Sequence, residues 1–144
     1  MFALIIASME ITTRAARLGA SASQIYQRYA DPANASELLP EGATGFRVEE
    51  GRIRFSTEVL GRSYDVTAEI DYKAENEAIS VASVSGAPFP FRTTLAIAAK
   101  EAGCAVTIKQ EAELDPLTAM LATSPIQRAL DGVLKRLEAR FPPK

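Results

Sequence analysis

Residues 104–141 read CAVTIKQEAELDPLTAMLATSPIQRALDGVLKRLEARF, and the spacing of their apolar side chains changes once. Up to Leu114 the period is two: Val106, Ile108, Ala112 and Leu114 share one parity, Lys109, Glu111 and Glu113 the other. That alternation predicts a strand with one buried face. Beyond Asp115 the period lengthens, and Leu130, Val133, Leu134, Leu137 and Phe141 form a helical stripe. Asp115-Pro116 is a cap followed by a proline at the first helical position. Pro125 lacks an amide hydrogen and disfavours helical angles at Ser124, and Ser124 with Gln127 repeats a capping-box spacing. The expectation is a short helix to about Thr123, a kink or break at 123–125, and a long helix to Arg140. Arg128, Lys135, Arg136 and Arg140 supply its polar face, with positive charge near the C-terminus where the helix dipole favours it.

Upstream, period two dominates from Ala43. RIRFSTEV (52–59) and SYDVTAEIDY (63–72) alternate, and Ile79 to Val84, Phe89 to Ala99 and Cys104 to Leu114 continue the pattern. Turn residues at Glu50-Gly51, Gly61, Glu75-Asn76, Gly86 with Pro88, and Gly103 separate the runs. About six strands joined by short turns predict an antiparallel meander. Nearer the N-terminus, residues 8–18 read as one strand ended by Gly19. Ser21 and Gln24 have capping-box spacing, and Ala22, Ile25, Tyr26 and Tyr29 lie on one helical face. Asp31-Pro32 opens a second short helix that stops at Pro40. Residues 1–8 are either an N-terminal extension or a lead-in to the first strand. FALIIA (2–7) follows no Lys or Arg and is too short for a signal core with its flanks or a membrane span.

These elements predict one α+β domain over 1–144: a curved antiparallel sheet wrapped on a long C-terminal helix. One helix cannot fill a strongly curved sheet, so an apolar cavity is expected between them. The predicted inner face carries one polar residue in each of four strands: Thr57, Ser83, Thr93 and Gln110. A dry core disfavours unpaired polar groups, whereas a ligand pocket accommodates them; strand-end placement or local pairing is the plainer alternative. The expected apolar wall is Phe55, Tyr64, Val66, Val81, Phe91 and Leu95 from the strands. Tyr64 is placed there because it shares the parity of Val66, Ala68 and Ile70. Met120, Leu121, Leu130 and Leu134 are expected to face them from the helix. The phenols of Tyr26, Tyr29, Tyr64 and Tyr72 are possible ligand donors, although a tyrosine on an apolar stripe is more often a core residue with its hydroxyl at the edge.

Composition narrows the chemistry. The 144 residues are 47% hydrophobic and 24% charged, with a net charge of −2. No basic cluster suggests a nucleic-acid or anionic membrane partner. There is no histidine, which removes imidazole bases, Ser-His and Cys-His nucleophile pairs, and histidine metal sites. Cys104 stands alone, so it forms no internal disulfide, and a small residue at a buried strand start is the plain reading. An unpaired thiol suits a reducing compartment, and the expectation is a cytoplasmic protein with no cofactor, metal or catalytic residue. Carboxylates such as Glu49, Glu58, Glu69 and Glu111 fall on the predicted wet face, and Arg52 and Arg54 beside Glu58 suggest cross-strand ion pairs of small value.

The order strand, two helices, six strands, long helix resembles the START/SRPBCC superfamily, which includes the birch-pollen allergen and polyketide cyclase-like proteins. More narrowly, SQIY (23–26), APFPF (87–91), ELDPL (113–117) and SPIQ (124–127) look like small bacterial SRPBCC proteins of unassigned function. The resemblance implies a helix-grip fold and a hydrophobic cavity, and one fold of this kind hosts many functions. The iron-dependent hydroxylases of the superfamily need histidine ligands that this chain lacks. Three functions stay open. The first is binding or carriage of a small hydrophobic, lipid- or polyketide-like ligand. The others are a protein-interaction or chaperone-activating module, and an enzyme of the cyclase or aromatase kind.

Overall fold

The computed structural model describes residues 7–143. The N-terminal segment before Ala7, on which the extension or lead-in reading bears, otherwise lies outside them. The first strand comes in two pieces, β1 (Ala7–Thr12) and β2 (Ala16–Leu18), both antiparallel to β8 (Gly103–Leu114). The sequence reads as one strand here, and the register shows why it is two. Thr12 pairs with Lys109 and Ala16 with Val106, so four steps on one strand oppose three on the other. The extra residue makes a bulge. Thr13 repairs the ladder: its N–H donates to the Ile108 carbonyl at 2.9 Å, and its Oγ1 accepts from the Ile108 N–H at 3.0 Å. Arg14, turned outward by the bulge, makes a two-pronged bond to the Glu138 carboxylate at 2.6 and 3.1 Å.

α1 (Ala22–Tyr29) begins at the expected capping box. Ser21 Oγ accepts from the Gln24 N–H at 3.1 Å, and Gln24 Oε1 accepts from the Ser21 N–H at 2.8 Å. Ser21→Ala leaves the Gln24 amide without its side-chain acceptor and is expected to cost about 1 kcal/mol, or roughly 2–4 °C in a thermal melt of a chain this size. The second short helix (Pro32–Leu38) is a 3-10 helix capped by Asp31. Six strands follow: β3 (Thr44–Glu49), β4 (Arg52–Val59), β5 (Arg62–Ala74), β6 (Ala78–Ser85), β7 (Phe91–Lys100) and β8. The sheet order is β1-β8-β7-β6-β5-β4-β3, with β2 also on β8 and every pair antiparallel. On the wet face Arg52 pairs with Glu69 and Arg54 with Glu49, not with Glu58, because the registers set those carboxylates beside them.

α2 (Pro116–Arg140) is one helix of 25 residues, with Pro125 inside it. The expected break at 123–125 is absent. Proline removes the bond that residue 125 would donate to the Leu121 carbonyl, and both residues are exposed, so that carbonyl can reach water. Leu130, Val133, Leu134 and Leu137 lie against β-sheet residues in one apolar cluster, which also holds Ile79, Leu95, Val106 and Ile108. A smaller cluster, Ala35, Ile53, Phe55 and Val66, forms where the 3-10 helix covers β4 and β5. Among the described residues no helix is long and apolar enough to cross a membrane.

Candidate functional site

The two apolar clusters face one another across a cavity of about 410 Å³, within the usual range for small-molecule sites. Ile53, Phe55 and Thr57 reach it from β4, Val66, Ala68 and Ile70 from β5, and Ile79 and Val81 from β6. Phe91, Thr93 and Leu95 of β7 and Ile108 and Gln110 of β8 continue the wall. This is the alternation at work, since i, i+2 and i+4 share a face. α2 closes it with Ala122, Pro125, Ile126, Ala129, Leu130 and Val133. Exposed residues among its lining mark where it meets solvent: Glu58, Leu60, Pro88 and Pro125 between α2 and the β4–β5 and β6–β7 connections, and Glu41 beside the end of the 3-10 helix. A shallower depression of about 440 Å³, lined by Arg62, Tyr64, Glu113, Asp115 and Thr118, shares Val59, Leu60, Pro88 and Phe89 with it and forms an outer vestibule.

The opposite end is tethered by polar contacts. The Gly19 N–H donates to the Phe141 carbonyl at 2.9 Å, tying the end of β2 to the end of α2. Arg28 donates to Glu37 at 2.7 and 3.0 Å, and Arg140 reaches the same carboxylate at 2.7 Å. Arg136 bonds the Leu39 carbonyl. These contacts hold the 3-10 helix to α1 and α2, and Tyr29, Ala35 and Leu38 line the cavity from that side.

Nine of the fourteen residues expected around the cavity line it: Phe55, Thr57, Val66, Val81, Phe91, Thr93, Leu95, Gln110 and Leu130. The structure places five elsewhere. Met120 and Leu121 are 78% and 59% exposed. A continuous helix fixes their phase: Ala122, Ile126, Leu130 and Val133 point inward, so Leu117, Met120 and Leu121 fall on the outward side. Leu134 is fully buried in the packed core rather than at the cavity surface. Tyr64 is opposite Thr57, on the inner face as its parity requires, but lies in the vestibule. Ser83 spends its hydroxyl on the backbone, accepting from the Phe91 N–H at 3.0 Å where β6–β7 pairing ends.

The polar groups inside are few. Thr93 and Gln110 are register partners, and the Thr93 hydroxyl donates to Gln110 Oε1. Thr57 is half-buried. Tyr29 is 2% exposed, and its hydroxyl is enclosed beside the Arg28, Glu37 and Arg140 cluster rather than on the open surface of the cavity. Burial pushes that phenol's pKa up; the nearby Glu37 carboxylate acts the same way, and the Arg28 and Arg140 guanidiniums oppose it. Among the described residues no group of three or more His, Cys, Asp or Glu side chains is placed to hold a metal. Cys104 is fully buried, and burial raises its thiol pKa.

This architecture has known counterparts among solved structures. An uncharacterized protein from Bacillus thuringiensis superposes with a TM-score of 0.71 at 15% identity, over 92% of this chain and 98% of that one. A protein from Chromobacterium violaceum gives 0.66 at 17% identity, over 95% and 99%. Norcoclaurine synthase from Thalictrum flavum, in complex with dopamine and hydroxybenzaldehyde, gives 0.64 at 16% identity, over 94% and 88%. The chain has the helix-grip fold. At these identities the likeness establishes the fold alone. No family model matches the sequence, and a comparison with curated sequences finds no match.

Proposed function

We propose that this chain binds or carries a small, largely apolar ligand, lipid- or polyketide-like in character, between the sheet and α2. The observation that carries the reading is a cavity of about 410 Å³ with apolar walls and only a few polar side chains inside. Burial drives such binding, at about 0.8 kcal/mol per methylene. A ten-carbon chain gains roughly 8 kcal/mol gross, and immobilisation removes several kcal/mol of that. The expected dissociation constants therefore lie at about tenths of a millimolar to millimolar.

The enzyme reading draws support from Tyr29, a buried phenol with a raised pKa in the cavity wall. A neutral phenol donates hydrogen bonds, whereas proton-transfer turnover also asks for a base. The carboxylates at the cavity, Glu41 and Glu58, are exposed at its rim. Binding is the simpler use of these groups. A protein-interaction module is supported by Leu117, Met120 and Leu121 on the outward side of α2. That reading would favour a filled interior, which the cavity does not supply.

Native mass spectrometry of the purified chain, followed by titration with 1-anilinonaphthalene-8-sulfonate, tests the proposal. A co-purified apolar adduct, or saturable dye binding that a fatty alcohol displaces, is the expected result. A ligand-free chain that takes up no dye would turn attention to the outward face of α2.

A further inference from the structure

Thr93 and Gln110 face each other across β7 and β8 part-way down the cavity wall, and the Thr93 hydroxyl donates to Gln110 Oε1. Among the described residues no other protein group bonds either side chain. The two hold three donor protons, one on the hydroxyl and two on the carboxamide nitrogen. Their mutual bond uses one. Turning the carboxamide over changes which two are left over, not their number. Donors without a partner are rarer inside proteins than under-used acceptors, so the surplus calls for an oxygen.

The carboxamide nitrogen is open to the cavity. Among the described residues the one fully enclosed side-chain nitrogen or oxygen without a partner is the Tyr29 hydroxyl, so the Gln110 nitrogen keeps accessible surface. Gln110 is half-buried and shares the inner face of β8 with Ile108 and Ala112, both buried. Its partner on the other side, Ile11 of β1, is buried too. The accessible part of the side chain therefore faces the space that it lines. Apolar wall continues both ways from the pair: Phe91 is one inner step toward the mouth, and Leu95 and Ile108 are one step toward the Tyr29 end. Among the described residues the lining holds no Lys or Arg, and neutral donors cannot compensate a carboxylate taken out of water.

Resting on the cavity-binding reading, we infer that the ligand carries a neutral carbonyl oxygen part-way along an apolar body, as a mid-chain ketone or ester does, and that a Gln110 carboxamide N–H donates to that oxygen. Thr93 is a positioning residue, which orients the carboxamide through Oε1. Hydrocarbon on either side of the carbonyl then meets the apolar wall above and below the pair.

The test uses the full chain, its Gln110→Leu and Thr93→Val variants, and two isomeric probes, 5-nonanone and 2-nonanone, with nonanoate beside them. Affinity is read by displacement of 1-anilinonaphthalene-8-sulfonate, and bonding by the infrared stretch of the carbon-13-labelled carbonyl. In the unmodified protein the 5-nonanone band should fall below its position in hexane, and 5-nonanone should bind more tightly than 2-nonanone or nonanoate. Gln110→Leu should still bind dye, weaken 5-nonanone by about two- to tenfold, the worth of one neutral hydrogen bond, and return the band to its hexane position. Thr93→Val should keep a shifted band and broaden it, because the carboxamide is no longer held in one orientation. In nitrogen-15 NMR of the unmodified protein the Gln110 side-chain N–H protons should move downfield on saturation with 5-nonanone, a readout that stands even if Gln110→Leu fails to fold. An unshifted band, unmoved Gln110 protons, or a shift that survives Gln110→Leu overturns the inference. Equal or tighter binding of 2-nonanone or nonanoate overturns the mid-body carbonyl. Dye binding without displacement by either ketone rejects this inference and leaves the cavity reading standing. Failure to bind dye and ketones alike rejects both.

Discussion

Leu130→Trp is expected to abolish binding of apolar ligands while shifting stability by no more than about 1 kcal/mol, because the larger ring grows into empty space. Leu130 is nearly buried, and its side chain lies on the cavity surface between Ile126 and Val133. The indole takes the volume a ligand would use. Leu134, one helical turn later, supplies the contrast. It is fully buried within the packed cluster and does not line the cavity. Leu134→Trp therefore overpacks a solid region and should destabilise the fold by about 1–3 kcal/mol or more. Dye titration beside a urea melt of both variants makes the comparison. If Leu130→Trp loses as much stability as Leu134→Trp, the space under Leu130 is not open in solution, and the ligand-binding proposal loses its footing.

Gly103→Ala is expected to cost about 3–5 kcal/mol of stability. Gly103 opens β8 with φ of +111°, and a Cβ there would lie 2.0 Å from the Leu18 carbonyl oxygen. That oxygen belongs to the backbone of β2, which pairs with β8 immediately beyond it, Leu18 against Cys104. Neither strand can give way without breaking the ladder. α1 follows directly, so displacement of β2 also moves the helix that carries Tyr29. Gly132→Ala is the matched control. Gly132 sits within α2, and a Cβ there meets nothing within 4 Å. Helix propensity then makes that change stabilising by up to about 1 kcal/mol. Urea denaturation midpoints should move in opposite directions for the two variants. Equal midpoints would mean that the close approach at Gly103 relaxes at little cost.

The strands were legible because each keeps one face wet. Arg52, Arg54 and Glu58 alternate with Ile53, Phe55 and Thr57, and that parity is enough to name the cavity walls of β4. Parity identifies a face but not a height along it. Tyr64 shows the difference, since it is on the inner side yet beyond the mouth. The helix was harder to read. With a break assumed at Pro125, the segment 116–123 is free to rotate, and Met120 and Leu121 look like inward residues. Continuity through Pro125 removes that freedom and turns them outward. Ala122, Ile126 and Ala129 are the inward residues instead, and the period of Leu130 and Val133 extended backward through the proline would have found them. The Ser21 capping box and the Asp-Pro starts were reliable because they depend on local hydrogen bonds, whereas the same spacing at Ser124 and Gln127 falls inside α2 and caps nothing. The bulge at Thr13 was not legible, because one extra residue on β1–β2 becomes visible only against its partner β8.

The pairing of β1 and β2 with β8 has a kinetic consequence. Ala7 meets Leu114 and Leu18 meets Cys104, residues roughly a hundred positions apart in the chain. Closing a loop of that size carries an entropy cost before any contact repays it, and topologies rich in such distant pairs fold slowly. The hairpins from β3 to β8 involve near neighbours and can assemble first. During synthesis the N-terminal strand therefore emerges earliest and docks last. Until it docks, one side of β8 stays unpaired, an open edge on which a second nascent chain could template.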